Sequence, residues 1–153
     1  MFTNIICCVD GSEDSAKAAE IGLKLAKQFD GSVTCVYVVT DDYIRFMKDD
    51  AATRKTGTSF DKILLEEART EQIGYKVFAD IIAMAKKVKC TNYTTKFLNG
   101  NPLDELVNEI CTGPYDLVIV GRHAASKAQK SLIGNVVEAI ITFSTLPTLV
   151  VSK

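Results

Sequence analysis

Residues 4–15 read Asn-Ile-Ile-Cys-Cys-Val-Asp-Gly-Ser-Glu-Asp-Ser, and the order of residue types in that stretch decides the fold class. Asn4 to Val9 is a short, unalternating apolar run, the pattern of a strand buried on both faces. Asp10-Gly11 breaks it, and Ser12 offers a helix N-cap. Glu13 and Asp14 fall in the first turn that follows, where carboxylates suit the positive end of the helix dipole. Ala16, Ala19, Leu23, Ala26 and Phe29 then recur at helical spacing until Asp30-Gly31 stops them. Strand, tight turn and helix in this order open a βαβ unit.

The rest of the chain repeats the alternation. Residues 33–39 are a second buried strand, and residues 94–98 a weaker, more polar one suited to a sheet edge. Residues 116–120 form a fourth strand ending at Gly121, and Pro147 introduces a last one over 148–151. Between them, Ile63 to Val88 keep helical periodicity across Gly74. Asn101 caps a helix with Pro102 at its first position, Leu103, Leu106, Val107 and Ile110 along its stripe, and Gly113-Pro114 at its close. Val136 to Phe143 make the final helix. Apolar strands alternating with helices imply parallel pairing and right-handed crossovers, hence a doubly wound α/β sheet with helices on both faces. One domain spanning 1–153 is expected, broken only by a polar stretch over 40–60. A loop of that length in a compact domain usually carries a function.

Bulk properties narrow the function classes. Apolar residues make up 47% of the 153 and charged residues 24%, a globular composition. The formal charge of −1 gives no general attraction for nucleic acid or an anionic membrane. No basic leader and no apolar run near the ~20 residues of a membrane span are visible, so a cytoplasmic, soluble protein is expected. Five cysteines, an odd number without a C-x-x-C pair, argue against a disulfide framework, and a single histidine against a Cys/His zinc site. Cys7, Cys8 and Cys35 lie in apolar runs and are expected to be buried, whereas Cys90 and Cys111, near helix ends, are expected to be more exposed.

In a doubly wound sheet, ligands gather at the carboxyl ends of the strands where strand order reverses. Three features fall there: Asp10-Gly11-Ser12, the end of the second strand at Val38-Val39, and the segment after Gly121. That segment runs Gly121-Arg122-His123-Ala124, nine further residues, then Gly134-Asn135 at a helix start. Glycine lets backbone N–H groups come close to a phosphate, a helix N-terminus supplies unpaired donors, and Arg122, His123, Lys127 and Lys130 add local positive charge. No G-x-x-x-x-G-K-[ST] P-loop occurs. Read alone, the segment fits an anion cradle or a solvated loop with a helix cap. Asp10 fits a ribose-binding carboxylate or a turn residue that bonds its own backbone.

Several separated stretches, in order, resemble the universal stress proteins. These are Ile5 to Ser15, Gly100-Asn-Pro102, Tyr115-Asp-Leu-Val-Ile-Val-Gly121, Leu132-Ile-Gly-Asn-Val-Val-Glu138 and Leu146-Pro-Thr-Leu-Val-Val151. The resemblance covers nearly the whole chain and is poorest over 40–75. It implies a five-stranded parallel sheet and a phosphate motif G-x-x-G, nine residues, G-[ST]. Here Gly121 and Gly134 match, while Ala124 stands for the second glycine and Asn135 for the Ser/Thr. It further implies that Asp10 holds a ribose, that backbone at Val38 and Val39 meets an adenine, and that Gly121, Arg122, His123, Gly134, Asn135 and Val136 surround phosphates. ATP, ADP or AMP, with a divalent cation such as Mg or Mn, would be the ligand, and a homodimer through the last strand the assembly. No activated nucleophile or paired carboxylates are visible, so turnover beyond slow ATP hydrolysis is not expected. Two other readings stay open: a dimeric stress protein that binds no nucleotide, and an adenylating enzyme of the wider α-hydrolase group.

Overall fold

The computed structural model describes residues 1–40, 60–122 and 134–153, with the side chains of 60–67 excepted. Nearly all of the 40–60 stretch, with His123, Ala124, Lys127 and Lys130, therefore lies outside the described residues. The elements run β1 (Asn4–Cys8), α1 (Glu13–Gln28), β2 (Ser32–Thr40), α2 (Phe60–Val88), β3 (Tyr93–Gly100), α3 (Pro102–Thr112), β4 (Leu117–Gly121), α4 (Asn135–Phe143) and β5 (Thr148–Val151). The strands form one parallel sheet in the order β3-β2-β1-β4-β5. From β1 the chain winds outward through β2 to β3, then crosses back to β4 and on to β5. Strand order thus reverses between β1 and β4.

Alternation along the buried strands feeds two cores. Ile5, Cys7, Val33, Cys35, Tyr37 and Ile119 point to one face, where they pack with residues of α1 and α2. Ile6, Cys8, Val36, Val118 and Val120 point to the other, against Leu106 and Ile110 of α3 and Val137 and Ile140 of α4. Helices on both sides of the sheet explain why the strand sequences show no polar alternation.

α1 begins as expected, with the Ser12 hydroxyl accepting from the Ser15 N–H at 3.1 Å. Its buried stripe is Ser15, Ala18, Ala19, Gly22, Leu23 and Ala26, and Ala16 is exposed, contrary to the sequence expectation. Alanine fits either face of a helix, so spacing alone did not separate 16 from 18. The small residues serve close approach: a Cβ on Gly22 would lie 3.3 Å from Val33 and 3.5 Å from Ile119. α3 carries the expected cap, with Asn101 Oδ1 accepting from the Leu103 and Asp104 N–H groups. β3 and β5 are the sheet edges. Cys7, Cys8 and Cys35 are buried and Cys111 is exposed, as expected. Cys90 departs from expectation and is buried, because its N–H folds back onto the Ala85 carbonyl and draws the residue under the end of α2. Among the described residues no helix is long and apolar enough to cross a membrane.

Candidate functional site

The reversal of strand order opens a crevice at the carboxyl ends of β1 and β4, and four chain segments reach it. The first is the turn after β1. Val9 donates to the Val36 carbonyl at 2.9 Å, the last bond that ties this strand to β2. Asp10 follows, half-buried, and its Oδ1 accepts from the Ser12 N–H at 2.9 Å. The Asp10 N–H points at the Ser15 hydroxyl at 3.3 Å, and that hydroxyl donates to the Ser12 carbonyl at 3.0 Å. Gly11 has φ +85°, a left-handed conformation that favours glycine. The turn reading of Asp10 is therefore realised. A carboxylate offers about four acceptor positions, so a turn bond is compatible with a further hydroxyl. Ser15, buried at the centre of this circuit, was not singled out from sequence. The Ser-x-x-Ser spacing from Ser12 was the signal for it.

The second segment is the end of β2. Val38 and Val39 are half-buried on opposite faces. Peptide groups alternate sides along a parallel strand. The Val38 groups therefore point the same way as those of Val36, into the gap above the last ladder residue of β1. The Val39 groups point toward β3, where the residue pairs with Asn99. Tyr37, just before them, donates its hydroxyl to the Thr70 carbonyl at 3.1 Å. Burial, helped by the charge of Asp10, raises its pKa above the ordinary tyrosine value.

The third segment is the end of β4. Gly121 is buried, and a Cβ there would lie 2.7 Å from the Ser15 nitrogen and 2.8 Å from the Asp14 carbonyl carbon. Its missing side chain lets β4 press against the first turn of α1. Arg122 donates its N–H to the Val151 carbonyl at 2.7 Å and accepts from the Gly134 N–H at 3.1 Å. The backbone of one residue so joins the sheet edge to the fourth segment, the start of α4.

Two helix N-termini thus face the crevice, and they differ in charge and capping. At α1 the Ser12 side chain fills the cap and Glu13 and Asp14 occupy the first turn, which repels anions. At α4 the cap is Gly134, with an ordinary φ of −68° and no side-chain cap bond, and the first turn carries one acid, the exposed Glu138, against two at α1. Asn135 is exposed and Val136 half-buried behind it. The uncapped first turn presents N–H groups and a partial positive charge, the arrangement that favours an anion. Gly121, Arg122, Gly134, Asn135 and Val136 therefore lie together beside Asp10, with Val38 and Val39 across β1, and His123 falls outside the described residues.

Among the described residues the thiols nearest this place offer little acid–base chemistry. Burial, with the neighbouring Cys35 and Asp10, pushes the Cys8 thiol up to about 12. The hydrogen bond with Cys35, and burial, hold Cys7 well above the ordinary thiol value. Neither forms a thiolate near neutral pH. Among the described residues no three His, Cys, Asp or Glu converge on a metal position.

Comparison with known proteins agrees with this fold. The chain is 25% identical over 154 residues to universal stress protein YxiE of Bacillus subtilis, covering 99% of each. It is 28% identical over 153 residues to universal stress protein MJ0531 of Methanocaldococcus jannaschii, covering all of this chain and 84% of that one. Among solved structures the fold recurs in a universal stress protein in complex with cAMP, with a TM-score of 0.67 at 18% identity over 99% of this chain and 97% of that one. It recurs too in an Arabidopsis thaliana family member with AMP bound, with a TM-score of 0.63 at 13% identity over 97% and 90%. The model of the universal stress protein family matches residues 1–152, and the chain belongs to that family.

Proposed function

We propose that this protein binds an adenine nucleotide, ATP in particular, in the crevice between β1 and β4, and acts as a stress-response or signalling module in its loaded state. The observation that carries the reading is the contrast between the two helix ends: α1 is capped by Ser12 and has two acids in its first turn, whereas α4 has no side-chain cap, has only Glu138 there, and is tied to Arg122. An anion has one favourable berth there, within one nucleoside's reach of Asp10. In this arrangement Asp10 accepts from a ribose hydroxyl, and backbone at Val38 and Val39 meets the polar edge of the base. Gly121, Arg122, His123, Gly134, Asn135 and Val136 surround the phosphates. Neighbours of the same fold that hold cAMP and AMP support the ligand class. A Mg or Mn ion accompanying the triphosphate would take its ligands from phosphate oxygens and water, since no carboxylate cluster among the described residues competes for it.

Isothermal titration with ATP, ADP and AMP tests this reading directly. Saturable binding with one site per chain is expected, and no heat and no retention in equilibrium dialysis at millimolar nucleotide refutes it. The assembly belongs to the same proposal. β5 is an open edge whose Leu149 and Val150 are each 38% exposed, and Ile141 and Phe143 of α4 are exposed as well. An apolar edge of this kind is covered by strand pairing, here with a second copy of the chain.

A further inference from the structure

We propose that Ile73 of α2 is the apolar wall against which the base of the bound nucleotide lies. This rests on the adenine-nucleotide reading above and extends it to a helix that neither motif spacing nor resemblance connected with the site. Ile73 is 46% exposed; Tyr75 and Ile82 of the same helix are exposed too, and Ile73 differs from them in standing at the end of the sheet that carries the crevice. Its surroundings fix where that exposed surface sits. A Cβ placed on Gly11 would lie 3.3 Å from a Val77 methyl and 3.8 Å from the Ile73 Cγ2. Ile73 therefore stands beside the turn that begins at Asp10.

Two further contacts hold this part of α2 in place. Tyr37 donates its hydroxyl to the Thr70 carbonyl at 3.1 Å, one helical turn before Ile73. Gly74 lies flat on Tyr37 and Phe97, where a Cβ would come within 2.4 Å of the Phe97 ring. Tyr37 in turn precedes Val38 directly in β2. The Asp10 turn, the end of β2 and the 70–77 segment of α2 thus adjoin one another.

A purine base has a polar edge and two apolar faces. Backbone at Val38 can satisfy the edge, and the faces need apolar contact to gain from leaving water. Ile73 offers half-exposed aliphatic surface on a side chain whose β-branch already restricts its rotamers, so ordering it against a ligand costs little. Truncation should weaken binding of every adenosine nucleotide by roughly three- to tenfold, the range for losing part of one aliphatic contact.

Three measurements on the full chain test the inference. Ile73→Ala should raise the Kd for AMP by that factor with little change in Tm, and Ile73→Val should recover most of the loss. With the Ile δ1 methyls isotopically labelled, the AMP complex should show a nuclear Overhauser effect between the adenine H2 or H8 proton and Ile73. If wild type binds AMP but Ile73→Ala binds it within twofold, or the complex lacks that effect, the wall assignment is overturned and the nucleotide reading stands. If wild type binds no adenine nucleotide, the reading beneath it fails and this inference goes with it.

Discussion

Replacing Gly121 with alanine tests whether the crevice is built as described. The added Cβ would lie 2.7 Å from the Ser15 nitrogen, 2.8 Å from the Asp14 carbonyl carbon and 3.0 Å from the Asp14 Cβ, against an ordinary contact of at least 3.4 Å. Two of those three atoms are backbone in the first turn of a capped helix, so neither can swing aside as a long side chain would. Relief requires α1 to move from β4 by about 0.7 Å at its N-terminal end, the shortfall at the Ser15 nitrogen. Overpacking of a close-packed interior costs about 1–3 kcal/mol, and a clash with backbone belongs in the upper half of that range. For a chain of this size about 2–3 kcal/mol corresponds to a fall in Tm of about 5–10 °C. The shift also carries Asp10 away from Arg122, because Asp10, Ser12 and Ser15 are joined in one hydrogen-bond circuit. Nucleotide affinity should therefore fall at least about tenfold even at a temperature where the variant is folded, about 1.4 kcal/mol of binding. Urea melts followed by circular dichroism give the first number, and titration with ATP at 10–15 °C below the variant's Tm, a margin of about two transition widths, gives the second. A variant with Tm within a degree of wild type refutes the packing of α1 on β4, and with it the geometry assigned to the site.

Three shorter predictions address other parts of the structure. Gly134→Asp supplies the missing cap of α4, so Tm should rise by about 1 °C for a few tenths of a kcal/mol, while the new carboxylate at the phosphate berth should weaken ATP binding at least about tenfold; unchanged affinity would remove α4 from the site. At Asp116 burial works to raise the pKa, but hydrogen bonds from the N–H and hydroxyl of Thr3 and the N–H of Asn4 outweigh it and hold the carboxyl below the ordinary aspartate value. A depressed folded pKa stabilises above the ordinary aspartate value and is lost as pH falls through the folded one; the Tm gap between wild type and Asp116→Asn should be full at neutral pH and shrink below about pH 4, and a gap constant down to pH 3 contradicts this. Val150→Lys places a charge on the open β5 edge, and sedimentation velocity should show a dimeric wild type and a monomeric variant, with a monomeric wild type refuting the assembly.

The sheet was legible because each strand needed to be apolar on both faces, which leaves continuous runs such as Leu117 to Val120 that no helix or loop imitates. The α3 boundaries were legible because Asn101, Pro102 and Gly113 each have a local conformational reason to stand where they do. Residues whose role depends on what lies across from them were harder. Ala16 and Ala18 are chemically identical, and only the path of α1 over the sheet exposes one and buries the other. Gly74 reads as a weak point in a helix until Tyr37 and Phe97 are seen to occupy the space its side chain would need. At the site, spacing marked Asp10, Gly121 and Gly134, but it gave no sign that the bare face of Gly121 is turned to α1. Ile73 carried no signal, since its significance comes from Gly11, more than sixty residues earlier in the chain.

Arg122 is bonded through its N–H to the outermost strand and through its carbonyl to the cap of α4. The two groups lie in neighbouring rigid peptide planes that meet at the Arg122 Cα, so only the φ and ψ of this one residue separate the two partners. Whatever docks alongside Val151 and whatever anion rests on the α4 amides are therefore linked through the two backbone torsions of one residue. Sensing at the pocket and pairing at the rim would need no relay of side chains, because the backbone of one residue already touches both.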